Sequence, residues 1–215
     1  MLLVFDLDDT LIPTSKEITP KKLDFALKKM IDSGLSFDFE EGKKMIHKMN
    51  QGAYRSKEVI EEFVSLIKGS DDHKKIGLKA LDEKIGHIDV TPQIDLNDFL
   101  KILRESHKLA IVTGGNKEVQ EEKIDLYQIN RELFSEIIVE EWGQKERAYA
   151  LLKEMFGNFL VVGDRIMNDL SGAKKLGGIT IHIRQGRGIL EPKNHPDVDF
   201  EIETIKELTR VLERI

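Results

Sequence analysis

The chain has 215 residues, 40% of them apolar, enough for one large domain or a core with a modest insertion. Its 33 basic and 39 acidic residues are interspersed and leave a net charge of −6; no basic stripe follows a nucleic-acid backbone, so the expected partner is a small molecule. There are no cysteines, which excludes a disulfide framework, a thiolate zinc site and a thiol nucleophile, and no apolar run approaches the length of a membrane span or signal peptide, so a cytoplasmic location is expected.

The first apolar run, Leu2 to Phe5, stops abruptly in Asp6-Leu7-Asp8-Asp9-Thr10. A buried parallel strand delivers side chains to the rim of a sheet in this way, and ligands of open α/β sheets bind at that rim. Strand alternation puts Asp6 and Asp8 on similar sides, close enough to share a cation. An acidic surface turn is the plainer alternative. Thr19-Pro20 reads as a helix N-cap followed by proline at the first helical position. Leu23, Ala26, Leu27, Met30 and Ile31 then recur at helical spacing until Ser33-Gly34. Further helices are predicted over about 39–50, along Val59, Ile60, Phe63, Val64 and Ile67 up to Gly69, and over about 72–87 with Ile76, Ala80, Leu81 and Ile85. No strand pattern appears between 15 and 90, which suits an inserted helical subdomain.

A strand and helix rhythm resumes at Thr91-Pro92. Helices are predicted over about 94–106, 117–127, 145–156 and 169–176, the last stopped by Gly177-Gly178. Strands are predicted over 109–112, 137–139, 159–162 and 179–183, with an edge strand near 198–202 and a closing helix from about Thr204. Such alternation implies a parallel sheet with right-handed crossovers. Two of these strands also end in polar residues. Leu109 to Val112 runs into Thr113-Gly114-Gly115, and Phe159 to Val162 runs into Gly163-Asp164, with Asp169 five residues on. A bare turn and a turn with a helix cap are the simpler readings of these two endings.

Together these segments resemble the motifs of the haloacid dehalogenase (HAD) superfamily. Phe5 to Ile12 looks like its first motif, Thr113-Gly114-Gly115 its second, Lys145 is the candidate for its third, and Gly163 to Asp169 looks like its fourth. The resemblance implies an α/β fold: a Rossmann-like parallel sheet core from residues 1–14 and 91–215, with an α-helical cap of the C1 type at 15–90. Hinges are expected near Pro13 and at 88–92. It also implies a Mg2+-dependent phosphatase acting on a small phosphorylated metabolite through an aspartyl-phosphate, as a monomer or homodimer.

By this resemblance Asp6 is the nucleophile and Asp8 the general acid and base. Oxygen-only donors suit Mg2+, with Asp6, the backbone carbonyl of Asp8 and Asp164 as direct ligands and Asp169 acting through water or by orienting neighbours. Thr113 and the amides of Gly114 and Gly115 are expected at the phosphate, and Lys145 adds fixed charge. Family members often follow that lysine with proline, whereas this chain reads Lys145-Glu146; Lys117 is the substitute, although it follows the second motif too closely. Arg55, in a basic and aromatic stretch of the expected cap, is the candidate for clamping a carboxylate or second phosphate. A mutase, phosphonatase or dehalogenase of the same fold, and a phospho-accepting receiver module, are the alternatives.

Overall fold

A computed structural model describes residues 1–84, 86 and 88–215. In chain order β1 (Leu2–Phe5) is followed by five helices, α1 (Thr14–Glu17), α2 (Thr19–Asp32), α3 (Phe39–Asn50), α4 (Ser56–Leu66) and α5 (Asp71–Leu81). Then come α6 (Ile94–Arg104), β2 (Lys108–Gly114), α7 (Lys117–Leu126), β3 (Glu136–Glu140), α8 (Lys145–Phe156) and β4 (Phe159–Gly163). The chain closes with α9 (Ser171–Lys175), β5 (Ile179–Ile183), β6 (Phe200–Ile202) and α10 (Leu208–Leu212). These elements divide into two compact units, Met1–Thr14 with Val90–Ile215, and Ser15–Asp89.

The first unit is organised by one parallel sheet in the order β3-β2-β1-β4-β5-β6, the Rossmann-like arrangement. All four residues of β1 are buried, because a central strand covered on both faces has no solvent side to alternate with. Leu2 and Val4 join a core with Val112, Tyr149, Leu152, Val161 and Leu170, in which the Tyr149 ring stacks on Phe159 at 6.3 Å. Strand order reverses at β1, whose neighbours β2 and β4 are reached by crossovers in opposite directions. A crevice beyond the carboxyl ends of the strands is expected at such a point. Asp6 leaves β1 and Asp164 leaves β4 there.

The helical unit buries Leu23, Leu27, Met30, Ile46, Val59, Ile60 and Phe63 around one core, and Phe37 meets Phe63 edge to face at 5.6 Å. Its entry differs from the expected cap. Ile18, between α1 and α2, holds the cap position at φ −94° and ψ −50° with no side-chain cap, so Thr19 is the first helical residue and Pro20 the second. α5 ends at Leu81, before the expected position. The buried Lys22 ammonium donates to the carbonyls of Leu81 and Glu83 at 2.8 and 2.6 Å, satisfying acceptors that a longer helix would consume. The predicted positions Ile85 and His87 lie outside the described residues.

Two further differences bear on the site. β2 and β4 each run on to a glycine, Gly114 and Gly163. The helix expected over 169–176 is present as α9, Ser171–Lys175, but its first two positions belong to a five-residue π turn, Ile166–Leu170, that precedes it. This wide turn brings Asp169 back against the end of β4, where a Cβ on Gly163 would lie 2.4 Å from that of Asp169. A glycine is required there by space alone.

Candidate active site

Three acids that are far apart in sequence converge beyond β1 and β4. One carboxylate oxygen from each of Asp6, Asp164 and Asp169 lies within 4.8 Å of the other two, and all three residues are buried. The Asp6 amide continues the sheet by donating to the Val162 carbonyl at 2.9 Å, which fixes where its side chain starts. Lys145, the first residue of α8, donates its ammonium to Asp6 Oδ1 and, at 2.7 Å, to Asp169 Oδ1. The Arg165 amide donates to the other Asp169 oxygen at 2.8 Å. A lysine at a helix N-terminus works against the helix dipole, and here two buried carboxylates outweigh that.

The Lys145 ammonium serves two of the three buried acids, Asp6 and Asp169, and the Arg165 guanidinium is the cation beside Asp164. Burial, reinforced by Asp169 and Asp8 and opposed by Lys145, raises Asp6 to about 7. Burial together with Asp169, Asp9 and Asp6 pushes Asp164 well above the usual carboxylate range. Burial disfavours the charge on Lys145, but Asp169 and Asp6 outweigh it and hold the ammonium firmly protonated. A buried pocket of oxygen donors short of positive charge fits a hard divalent cation such as Mg2+. Asp6, Asp164 and Asp169 are the side chains that would hold it. The Asp8 carboxylate is outside this group, leaving its backbone carbonyl as the expected contribution from that residue.

Asp8 sits in different surroundings. Its two oxygens each receive Lys123 Nζ at 2.8 Å. Thr14 donates to Oδ1 and Gln120 Nε2 to Oδ2, the latter at 3.0 Å. Burial disfavours the charged form, yet the Lys123 ammonium and these hydrogen bonds outweigh it and hold Asp8 below the usual range. Thr113, buried at the end of β2, accepts from the same Gln120 amide, which also reaches the Gly114 carbonyl at 3.2 Å. Asp9 occupies the left-handed region at φ 57°, and the strained loop packs its carboxylate where a Cβ on Gly186 would fall.

The Asp164 turn is held from behind. The His182 ring bonds the Asp164 carbonyl at 3.0 Å, and buried Arg165 donates to buried Glu191 at 2.8 Å. These partners, like Lys123, Gln120 and Thr14, went unmarked in the sequence reading. A readable signal existed for two of them: Gln120 and Lys123 share with Val119 and Ile124 the buried side of α7, polar residues where helical periodicity calls for apolar ones.

The expected residues are distributed as follows. Asp6, Asp164, Asp169 and Lys145 come together, and Asp8 and Thr113 are joined to each other through Gln120. The role expected of the Gly115 amide needs correcting. At φ 136° it donates to the Glu140 carbonyl at 2.9 Å, prolonging the β2 and β3 pairing, and is committed away from any anion. Lys117 is an exposed helix-start lysine 3.9 Å from Glu121. Arg55 belongs to the helical unit, where its guanidinium donates to Glu58 at 3.0 Å at the start of α4.

A parallel sheet with buried acids gathered at its switch point defines an α/β protein with an acidic site at the strand ends, and comparison with known proteins supplies the class. The family model for haloacid dehalogenase-like hydrolases matches residues 1–177. A protein of Methanopyrus kandleri named glyceraldehyde 3-phosphate phosphatase is 31% identical, over 99% of this chain and 97% of that one. Its namesake in Methanocaldococcus jannaschii is 26% identical over the same shares. Among solved structures, the Bacillus subtilis HAD-hydrolase YfnB, bound to magnesium, superposes with a TM-score of 0.61 at 20% identity, covering 98% of this chain and 97% of that one. The chain belongs to the haloacid dehalogenase-like hydrolases, and within them it is a phosphatase.

Proposed function

We propose that this phosphatase hydrolyses a small phosphomonoester with Mg2+ as cofactor, using Asp6 as nucleophile and Asp8 as general acid and base. The observation that carries the reading is the convergence of Asp6, Asp164 and Asp169 at the switch point, with Lys145 paired to Asp6 and Asp169. Glyceraldehyde 3-phosphate, named in the M. kandleri and M. jannaschii relatives, is the first substrate to try. Residues 15–89 form the cap in this reading, and Arg55 is its candidate for holding a second charged group of the substrate. No helix among the described residues is long and apolar enough to cross a membrane, which accords with a cytoplasmic metabolite as substrate.

The chemistry runs in two displacements. Asp8, ionised beside Lys123 in the free protein, takes up a proton as the anionic phosphoryl group arrives and raises its proton affinity. An Asp6 carboxylate oxygen then attacks phosphorus, the bond from phosphorus to the ester oxygen breaks, and Asp8 gives that proton to the departing alkoxide. Asp8 then takes a proton from a water that attacks the aspartyl-phosphate, releasing phosphate and restoring Asp6. Lys145 and the Thr113 hydroxyl offer positive charge and a donor to the phosphoryl oxygens. Mg2+, when bound, supplies the remaining positive charge that lets an anionic carboxylate approach an anionic phosphoryl group.

A direct test measures phosphate release from a panel of phosphorylated metabolites, with Mg2+ and with EDTA. Sustained Mg2+-dependent turnover of at least one small phosphomonoester is expected. Metal-independent turnover, or a single stoichiometric labelling that then stops, would overturn the reading, the latter in favour of a receiver-like module.

A further inference from the structure

The geometry points to Lys123 and Gln120 as positioning residues for the acid and base Asp8, an inference that rests on the function proposed above. Lys123 Nζ meets both Asp8 oxygens at 2.8 Å, and its side chain is only 10% exposed. Gln120 Nε2 reaches Asp8 Oδ2 at 3.0 Å and also touches the Thr113 hydroxyl and, at 3.2 Å, the Gly114 carbonyl. One amide therefore spans the group that moves the proton and the hydroxyl assigned to the phosphate. Both residues lie on the side of α7 that also carries buried Val119 and Ile124.

Packing gives no reason for a lysine there. An aliphatic side chain would fill the same helix face without ordering a long flexible stem or desolvating an ammonium. What the lysine adds is a two-pronged grip on one carboxylate, and a carboxylate held at both oxygens keeps its direction through the reaction. In the first displacement the bond from Asp8 oxygen to hydrogen breaks as the alkoxide oxygen gains that proton and its bond to phosphorus breaks. The charge left on Asp8 falls between Lys123 and Gln120. In the second displacement the same oriented carboxylate receives the proton of the attacking water. Proton transfer tolerates little misplacement, so a loosened carboxylate costs rate rather than substrate affinity.

The test compares two substrates on the native protein, two Lys123 variants and Asp8→Asn. Glyceraldehyde 3-phosphate leaves as an alkoxide that needs a proton; p-nitrophenyl phosphate leaves as a phenolate stable near neutral pH and needs almost none. For Lys123→Met, the single-turnover rate of leaving-group release, which reads the first displacement alone, is expected to fall about 10- to 100-fold for the alkyl ester and less than about 3-fold for the aryl ester, with little change in KM for either; the second displacement, common to both esters, slows alike. The retained aryl release reports that the variant is folded, and Lys123→Gln serves in its place should the methionine variant not fold. Asp8→Asn is the comparator and should show the same selectivity in leaving-group release, more strongly, while its steady-state turnover falls for both esters because the second displacement loses its base. Selective loss in Asp8→Asn but equal or absent losses in both Lys123 variants would overturn the positioning role and leave the proposed mechanism standing. Absence of selectivity in Asp8→Asn itself would overturn both.

Discussion

Asp6 and Asp8 are two residues apart and live in opposite electrostatic worlds. Asp6 shares its lysine with Asp169, and burial, with Asp169 and Asp8 nearby, raises it to about 7. Asp8 has a lysine of its own, a glutamine and a threonine, and although burial works against its charge, Lys123 holds it below the usual carboxylate range. Alternation along a strand makes the pair look equivalent; helices α7 and α8 separate them by bringing a lysine to each. The contrast teaches which group awaits a counter-charge from outside the chain and which is complete. Divergent environments for neighbouring titratable groups are also how one site keeps distinct acid, base and nucleophile roles at one pH.

The harshest way to break the comparison is to neutralise one side. Asp6→Asn should lower turnover by about 10^4-fold or more for alkyl and aryl phosphates alike, since it removes the attacking atom. Normal rates in that variant would transfer the nucleophile elsewhere. Lys145→Ala leaves Asp6 and Asp169 without their shared cation and should reduce kcat by about 10^2- to 10^3-fold, measured with both ester types. An unimpaired rate would remove Lys145 from the phosphate site. Gly163→Ala is gentler: a Cβ 2.4 Å from that of Asp169 must push the π turn away, costing on the order of 1–3 kcal/mol in denaturant unfolding. An unchanged midpoint would mean the turn yields freely.

The smallest effect sharpens the contrast through pH. A carboxyl whose folded-state value is raised contributes stability that is present below its unfolded value, near 4, and lost as pH rises through the folded one. With Asp6 raised to about 7 and Asp164 raised as well, the cation-free protein should lose stability between about pH 5 and pH 8. Asp8 is shifted the other way, and its contribution is lost only as pH falls below the ordinary carboxylate range. Thermal unfolding in EDTA should therefore give a falling midpoint from pH 5 to pH 8, and Mg2+ should raise the midpoint more at pH 8 than at pH 5. A flat profile with EDTA would contradict the charge deficit.

Much of this was legible in the chain itself. Strands ending in acid or threonine announce a rim, because apolar runs of four or five residues cannot stop in Asp6 or Asp164 unless the sheet stops there too. The bounds of α8, Lys145–Phe156, and of β5, Ile179–Ile183, follow from periodicity. What stayed hidden depends on tertiary partners. The π turn has no local signature and exists because Asp169 must return to Gly163 and Lys145. The end of α5 is set by Lys22, more than fifty positions away. The commitment of the Gly115 amide to Glu140 is a matter of strand register. Lys123 was overlooked because, read alone, α7 is polar enough to pass for a surface helix.

The claim beneath all of this is that the Asp6 side of the pair is built for a divalent cation and the Asp8 side is not. Calorimetric titration of Mg2+ into the cation-free protein at pH 8 examines it most directly, using the native chain, Asp164→Asn and Asp8→Ala. One Mg2+ per native chain is expected, binding lost in Asp164→Asn and kept in Asp8→Ala. Equal binding by the native and Asp164→Asn proteins, or loss of binding on removing only the Asp8 carboxylate, would contradict it.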